Sequence, residues 1–198
     1  MKSALDVHRA LLGADVLHEM IRLRTPALTG DDLPRSLGVD PDACVVVRCY
    51  VATCPDGDRF VAVLLRAGAT ADPVSLLDAL DADAVRPATG DEINIATEYA
   101  SSLVSPVALP AAVLLLADAA LGTHDVLYAP TGESGVALGI RTRDLLVATG
   151  ARATALTARP LGAGDQVGWD RATPLGQVLD LTAGRLARAT TKATRTTG

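Results

Sequence analysis

Two runs of apolar, largely β-branched residues on either side of a turn sequence limit the folds open to this chain. They occupy residues 43–66, ACVVVRCYVATCPDGDRFVAVLLR, with Pro55, Asp56, Gly57 and Asp58 between them. β-rich runs separated by these turn residues predict an antiparallel hairpin. This hairpin is the clearest element in the sequence, and it commits the domain to a β-sheet.

Short helices and further strands are predicted around this hairpin. Residues that favour helix N-caps mark three helix starts: Asp72, Thr89 and Thr142. A second hairpin is predicted at 125–140, where glycines occupy the turn. Strands and helices do not alternate strictly, which argues against a doubly wound nucleotide-binding fold. We therefore predict an α+β fold, with a mixed, partly closed β-sheet or barrel and short flanking helices.

The composition argues against several partners and sites. The net charge is −5 and aromatic residues make up 3% of the chain, so a DNA-binding surface or a set of base-stacking platforms is not expected. The sequence has no apolar run of about 18 residues and no signal-peptide pattern, which predicts a cytoplasmic protein without membrane contact. The segment TGESG at 131–135 lacks the GK[ST] ending of a phosphate loop, and no cofactor is expected.

The three cysteines Cys44, Cys49 and Cys54 lie within one predicted strand. Their spacing does not suit zinc, so we predict buried thiols and no metal site. A domain is predicted over 1–157. Residues 158–198 are predicted to be a linker, an amphipathic helix and a disordered basic tail.

Two arginines and two glycines stand out as candidate binding residues. Arg48 interrupts the apolar strand CVVVRCYVA, where a charge requires either an ion-pair partner or a cleft. Arg22 lies on a predicted strand and suits either phosphate recognition or a solvated strand face. Gly132 and Gly135 suit a hairpin turn, and we also include them as candidate substrate contacts.

The order of these segments resembles the YbaK family, the domain that is also inserted in or associated with prolyl-tRNA synthetases. The resemblance covers about 4–156. It rests on LGVDPDACVVVRCYV with its DG hairpin, VSLLDALDADAVRPATGDEI, SLVSPVALP before LLLAD, and VLYAPTGESGVALGIRTRDLLVATGA. It implies an editing domain that hydrolyses the ester of mischarged aminoacyl-tRNA. The implied partners are the 3′ end of the tRNA and an aminoacyl-tRNA synthetase.

The resemblance also assigns a role to the loop at 98–110, EYASSLVSPVALP. The family has a Gly-x-x-x-Pro element whose backbone amides approach the aminoacyl ester, in the manner of an oxyanion hole. Ser105 and Pro106 match that pattern, whereas Ser102 stands where the family has glycine and Leu103 where a second glycine is common. A Cβ at both positions either closes the aminoacyl space or shrinks it to exclude larger groups. We expect this loop to be exposed at the mouth of the main cleft.

The second departure from the family concerns a lysine in the first strand of the hairpin. This chain has only Lys2 and Lys192, both near its ends. Alignment without a gap places Val46 at the lysine position, and a shift of two residues places Arg48 there. Both positions lie on one strand face, so Arg48 is the candidate cation.

Two hypotheses follow from these departures, and a third has no residue in its support. The first is an editing deacylase acting in trans, of the prolyl-tRNA type, with water as nucleophile. The alternative is a catalytically degenerate module of the same fold that binds an aminoacyl or nucleotide ligand or a protein partner. The third is an unrelated small-molecule enzyme on the same fold. Fold alone does not decide among them.

Overall fold

A computed structural model of the protein describes residues 1–157. The predicted linker, amphipathic helix and basic tail at 158–198 lie outside the described residues. Within residues 1–157 the helices are Ala4–Gly13 (α1), Leu33–Leu37 (α2), Pro73–Leu80 (α3), Gly90–Thr97 (α4) and Thr142–Thr149 (α5). The strands are His18–Arg22 (β1), Val45–Cys54 (β2), Gly57–Arg66 (β3), Ala84–Pro87 (β4), Leu114–Asp118 (β5), Val126–Pro130 (β6), Val136–Arg141 (β7) and Arg152–Thr154 (β8).

The strands form two sheets. One has three antiparallel strands in the order β1-β7-β6, and the other has five strands in the order β4-β2-β3-β5-β8. The second sheet is mixed, because β5 runs parallel to both β3 and β8. A single parallel bridge between Cys44 and Tyr128 joins the two sheets. The predicted α+β fold with a mixed sheet is confirmed, and the described residues do not close into a barrel.

Local sequence signals account for most of the element boundaries. Cys54 pairs with Gly57 across a two-residue turn, as the hairpin prediction requires. The Asp72 carboxylate accepts a hydrogen bond from the Ser75 N–H at 2.9 Å and caps α3. The Thr89 hydroxyl accepts one from the Glu92 N–H at 3.3 Å and caps α4. These predicted caps are confirmed.

The predicted cap at Thr142 is wrong. The residue that precedes α5 is Arg141, and its side chain makes no capping hydrogen bond. Thr142 is the first residue of the helix, and its hydroxyl donates to the carbonyl of His124. Its N–H donates to the Asp125 carbonyl at 2.9 Å, so Thr142 connects α5 to the segment before β6.

The main core lies where side chains from both sheets pack with α1 and α5. Val45, Leu64 and Leu115 from the larger sheet pack with Leu127 and Leu138 from the smaller one. The opposite face of the β2–β3 hairpin packs against α3 in a second cluster, which includes Val46 and Leu76. The hairpin is therefore buried on both faces over much of its length. No helix within residues 1–157 combines the length and apolarity needed to cross a membrane.

Candidate functional site

Residues 101–107 of the connection between α4 and β5 have an exposed half and a buried half. Ser101 and Ser102 are exposed, whereas the residues from Leu103 to Val107 are buried. The expectation that this loop is exposed at the mouth of the main cleft is therefore wrong for Leu103 to Val107. The reason is the apolar character of Leu103, Val104 and Val107, which join the core while Ser101 and Ser102 stay in solvent.

Tyr99 and Ser105 hold the buried half in place. The Tyr99 ring is fully buried, and its hydroxyl donates to the Val107 carbonyl at 2.9 Å. Ser105 is also fully buried, and its hydroxyl accepts a hydrogen bond from the Val107 N–H at 3.3 Å. Burial raises the pKa of the Tyr99 phenol, so the group remains a neutral donor at ordinary pH. Ser105 thus shapes the loop from inside.

The exposed half borders a cavity of about 130 Å³. Three segments and a proline enclose it, and the lining residues are Ser101, Ser102 and Val104 of the loop, Thr29, Gly30 and Asp31, Val46, Val47 and Arg48 of β2, and Pro130. The Gly30 N–H donates to the Ser102 carbonyl at 3.0 Å, which joins two of the walls. The structure therefore brings Ser102, Val46 and Arg48 together as predicted site residues.

Gly30 allows these walls to approach each other. A Cβ on Gly30 would stand 2.9 Å from Cγ1 of Val46, closer than side-chain atoms pack. Val46 is nearly fully buried beneath this contact. Val46 therefore supplies an apolar wall, and the cation at the cavity comes from Arg48.

Arg48 lines the cavity and also forms an ion pair there. Its Nη2 donates to both carboxylate oxygens of Asp31, at 2.8 Å and 2.6 Å. The Asp31 carboxylate accepts a further hydrogen bond from the Gly68 N–H at 2.8 Å. The Arg48 side chain is one-third exposed, so the pair itself adds little to stability. The sequence left open whether Arg48 forms an ion pair or lines a cleft. In the structure it does both.

The loop offers backbone donors at this cavity, but not all of those predicted. The Leu103 N–H already donates to the Ala100 carbonyl at 3.0 Å. Within residues 1–157, the N–H groups of Ser102 and Val104 have no acceptor. Neither Ser102 nor Leu103 has a positive φ, so the backbone here does not require the glycines of the family pattern. Ser102 and Val104 are the available donors.

The other predicted site residues lie away from this cavity. Arg22 is exposed at the end of β1, opposite Val136. Pro106 is buried and lines a different cavity, of about 350 Å³, beside α1. Gly132 and Gly135 lie in the β6–β7 turn.

The two turn glycines have structural contacts. Gly132 has φ +89°, and a Cβ there would lie 2.7 Å from the Lys2 carbonyl oxygen and 2.8 Å from Cδ1 of Tyr99. The Gly135 carbonyl accepts a hydrogen bond from the Leu23 N–H at 2.8 Å, which extends the contact between β1 and β7. Only Gly132 therefore needs to be glycine for conformational reasons.

Sequence reasoning missed Gly30 and Asp31. Both lie in the segment TGDD, which signals a helix start through Thr29 and Asp32 and gives no sign of a site. Asp31 is 17 positions from Arg48, and no local pattern connects them. The one available signal was the unpaired charge in β2, which required a partner somewhere in the chain.

Thiols and metal ligands do not add to this site. All three cysteines are free and buried, and burial raises the pKa of both Cys44 and Cys49 to about 12. Cys44 and Cys49 are therefore protonated at ordinary pH and poor nucleophiles. Residues 1–157 contain no group of three or more His, Cys, Asp or Glu side chains that could hold a metal ion.

A family model of the aminoacyl-tRNA editing domain matches residues 25–147. The chain belongs to this family. The matched range contains every residue that lines the 130 Å³ cavity. The resemblance to the YbaK family is thereby confirmed, and the cavity lies within the editing domain itself. No curated protein matches the chain.

Solved structures share the fold of this editing domain. The hypothetical protein APE2540 is 23% identical, with a TM-score of 0.70 over 77% of this chain and 99% of its own. A proposed trans-editing enzyme for prolyl tRNA synthetase is 19% identical, with a TM-score of 0.67 over 79% of this chain and 97% of its own. At these sequence identities, the structural similarity shows a shared fold and no more.

Proposed function

We propose that this editing domain is a deacylase that acts in trans on mischarged aminoacyl-tRNA of the prolyl type. The observation that supports this most strongly is the cavity lined by Arg48, Ser102 and Val104, inside the range that matches the family; the N–H groups of Ser102 and Val104 have no acceptor within residues 1–157. A cation and backbone donors beside a small space are what binding a tRNA end and polarising its ester require.

In the proposed reaction, Arg48 anchors the phosphate of the terminal nucleotide. The Ser102 N–H donates to the ester carbonyl oxygen as negative charge develops there. A water molecule adds to the carbonyl carbon, and the bond between that carbon and the ribose oxygen breaks. The ribose oxygen takes a proton, and the amino acid leaves as a carboxylic acid that ionises in water. No side chain becomes covalently attached to the substrate.

The cavity size favours small amino acids. Its volume of about 130 Å³ is well below the roughly 300 Å³ at which ligand pockets of drug size begin. It can hold the aminoacyl part and the attacking water, while the nucleotide stays outside. The buried valines Val46 and Val104 form apolar walls that do not yield to a larger side chain.

The test is hydrolysis of a proline tRNA charged separately with alanine, cysteine and serine. We expect ester loss well above the spontaneous rate for at least one of the three, and slower loss for the correctly charged prolyl-tRNA. Reaction at the background rate with all of them would reject the deacylase.

The alternative is a binding module of the same fold. Two departures from the family support it. Position 102 is serine where the family has glycine, and β2 contains no lysine. A protein that binds a charged tRNA analogue but leaves every ester intact would have this function and not the first.

A further inference from the structure

Two arginines of the β2–β3 hairpin, Arg48 and Arg66, pair with carboxylates outside the hairpin at similar distances and in different surroundings. Arg48 binds Asp31 at 2.6 Å, with side chains 34% and 38% exposed. Arg66 binds Asp42 at 2.8 Å, with side chains 34% and 48% exposed. Only the first pair lines the cavity beside Ser102. The difference lies in what each pair borders, and the second pair is a natural control for the first.

The members of the first pair are not held equally. Asp31 has a second anchor, because its Oδ1 accepts a hydrogen bond from the Gly68 N–H. Arg48 donates to Asp31 through Nη2 alone, and its Nε is buried without a hydrogen-bond partner within residues 1–157. If another cation competes for the carboxylate, Asp31 stays in place and the Arg48 guanidinium is the group free to turn.

The end of a charged tRNA has the two charges that would complete such an exchange. The α-ammonium group stands on the carbon next to the ester carbonyl, and a phosphate lies on the far side of the terminal ribose. We propose that Asp31 binds the α-ammonium group of the substrate while Arg48 passes from Asp31 to the phosphate. This rests on the proposed function, and it defines the substrate class as aminoacyl esters with a free amino group.

The exchange keeps both protein charges, Asp31 and Arg48, paired before and after binding. In the free protein the carboxylate and the guanidinium neutralise each other, and in the complex each has a substrate partner instead. A substrate whose amino group is acylated offers a phosphate but no cation, so Asp31 would lose Arg48 without compensation. Because an uncompensated carboxylate in a partly buried cavity is unfavourable, N-acylated esters should bind less tightly. For a pair one-third exposed, we expect a preference on the order of tenfold.

The test uses two minihelix RNAs that end in CCA and carry alanine through an amide link at the 3′ position, which resists ester hydrolysis. One has a free amino group and the other is N-acetylated. Both are titrated into the wild-type protein, the Asp31→Asn variant and the Asp42→Asn control. We expect the wild type and Asp42→Asn to prefer the free amine about tenfold, and Asp31→Asn to bind both RNAs alike.

Equal binding of the two RNAs by the wild type would overturn the inference, as would a preference that survives in Asp31→Asn or a failure of the wild type to bind either RNA. The wild-type comparison does not depend on any variant, so it decides the matter even if Asp31→Asn unfolds. A preference for the free amine without ester hydrolysis would uphold the role of Asp31 and reject the deacylase. Hydrolysis of the ester together with equal binding of both RNAs would uphold the deacylase and reject the role of Asp31.

Discussion

The two halves of the loop between α4 and β5 are neighbours in the chain but are held in opposite ways. Ser101 and Ser102 are exposed, and Ser101 is positioned by a hydrogen bond from its N–H to Oδ1 of Asn94 in α4 at 2.9 Å. The stretch from Leu103 to Val107 is buried and is positioned by the Tyr99 hydroxyl. One half is fixed by a helix surface and the other by the core.

Neighbouring residues of this loop should therefore contribute to different properties, some to the stability of the fold and others to substrate binding. Changes at the buried half should alter the free energy of unfolding, because they remove packing or a buried hydrogen bond. Changes at the polar groups of the cavity, Arg48, Asp31 and Ser102, should alter binding and leave stability nearly intact, because these groups are partly or fully exposed. The following predictions test that separation, beginning with the largest effect.

Gly132→Ala should cause the largest loss of stability. The new Cβ would meet the Lys2 carbonyl oxygen and the Tyr99 ring at under 3 Å, at a φ of +89° that alanine adopts poorly. We expect the free energy of unfolding in urea to fall by about 3 kcal/mol. Gly135→Ala is the matched control, because a Cβ there meets nothing within 4 Å. Equal losses in both variants would show that neither the close contacts nor the positive φ restricts position 132.

Tyr99→Phe should have the next largest effect. It keeps the ring and removes the donor to the Val107 carbonyl, which is left buried. We expect a loss of about 1–2 kcal/mol in the free energy of unfolding. Tyr128→Phe serves as the control, because Tyr128 is only partly buried and lies in β6. No loss in Tyr99→Phe would mean that packing alone holds the buried half.

The cavity half is tested by Arg48→Ala. Removing the guanidinium should weaken binding of a charged-tRNA analogue on the order of tenfold. The free energy of unfolding should change by less than about 1 kcal/mol, because the ion pair is partly exposed. Arg66→Ala removes the corresponding pair outside the cavity and should leave binding unchanged. If both variants weaken binding alike, net charge matters and the position of Arg48 does not.

Much of this fold could be predicted because its signals are local. The β2–β3 hairpin follows from a turn between two β-rich runs, and the α3 and α4 caps follow from Asp72 and Thr89. The arrangement of strands into two sheets is not local. The parallel contacts of β5 with β3 and β8 join segments far apart in the sequence, and no turn signal specifies them.

The candidate site could be predicted only in part for the same reason. A charge within an apolar strand drew attention to Arg48, but its partner Asp31 comes from a separate turn. The burial of Ser105 depends on Tyr99, which a sequence pattern rich in serine and proline does not reveal. The resemblance supplied the loop, whereas the tertiary contacts distinguish its donors from its structural residues.

Acid should loosen the exposed half before the buried half, through the cap of α4. The hydrogen bond from Arg86, together with those from Thr89, lowers the pKa of Glu92 to about 2 from its usual 4.5. A lowered folded-state pKa gives stabilisation that is present above about pH 4.5 and is lost as the pH falls through about 2. The difference in unfolding free energy between wild type and Glu92→Gln should therefore shrink over this range. Amide exchange at Ser101 should rise there while exchange at Val107 stays slow. A constant difference across the range, or simultaneous exchange of both halves, would mean that α4 and the core hold the loop as one unit.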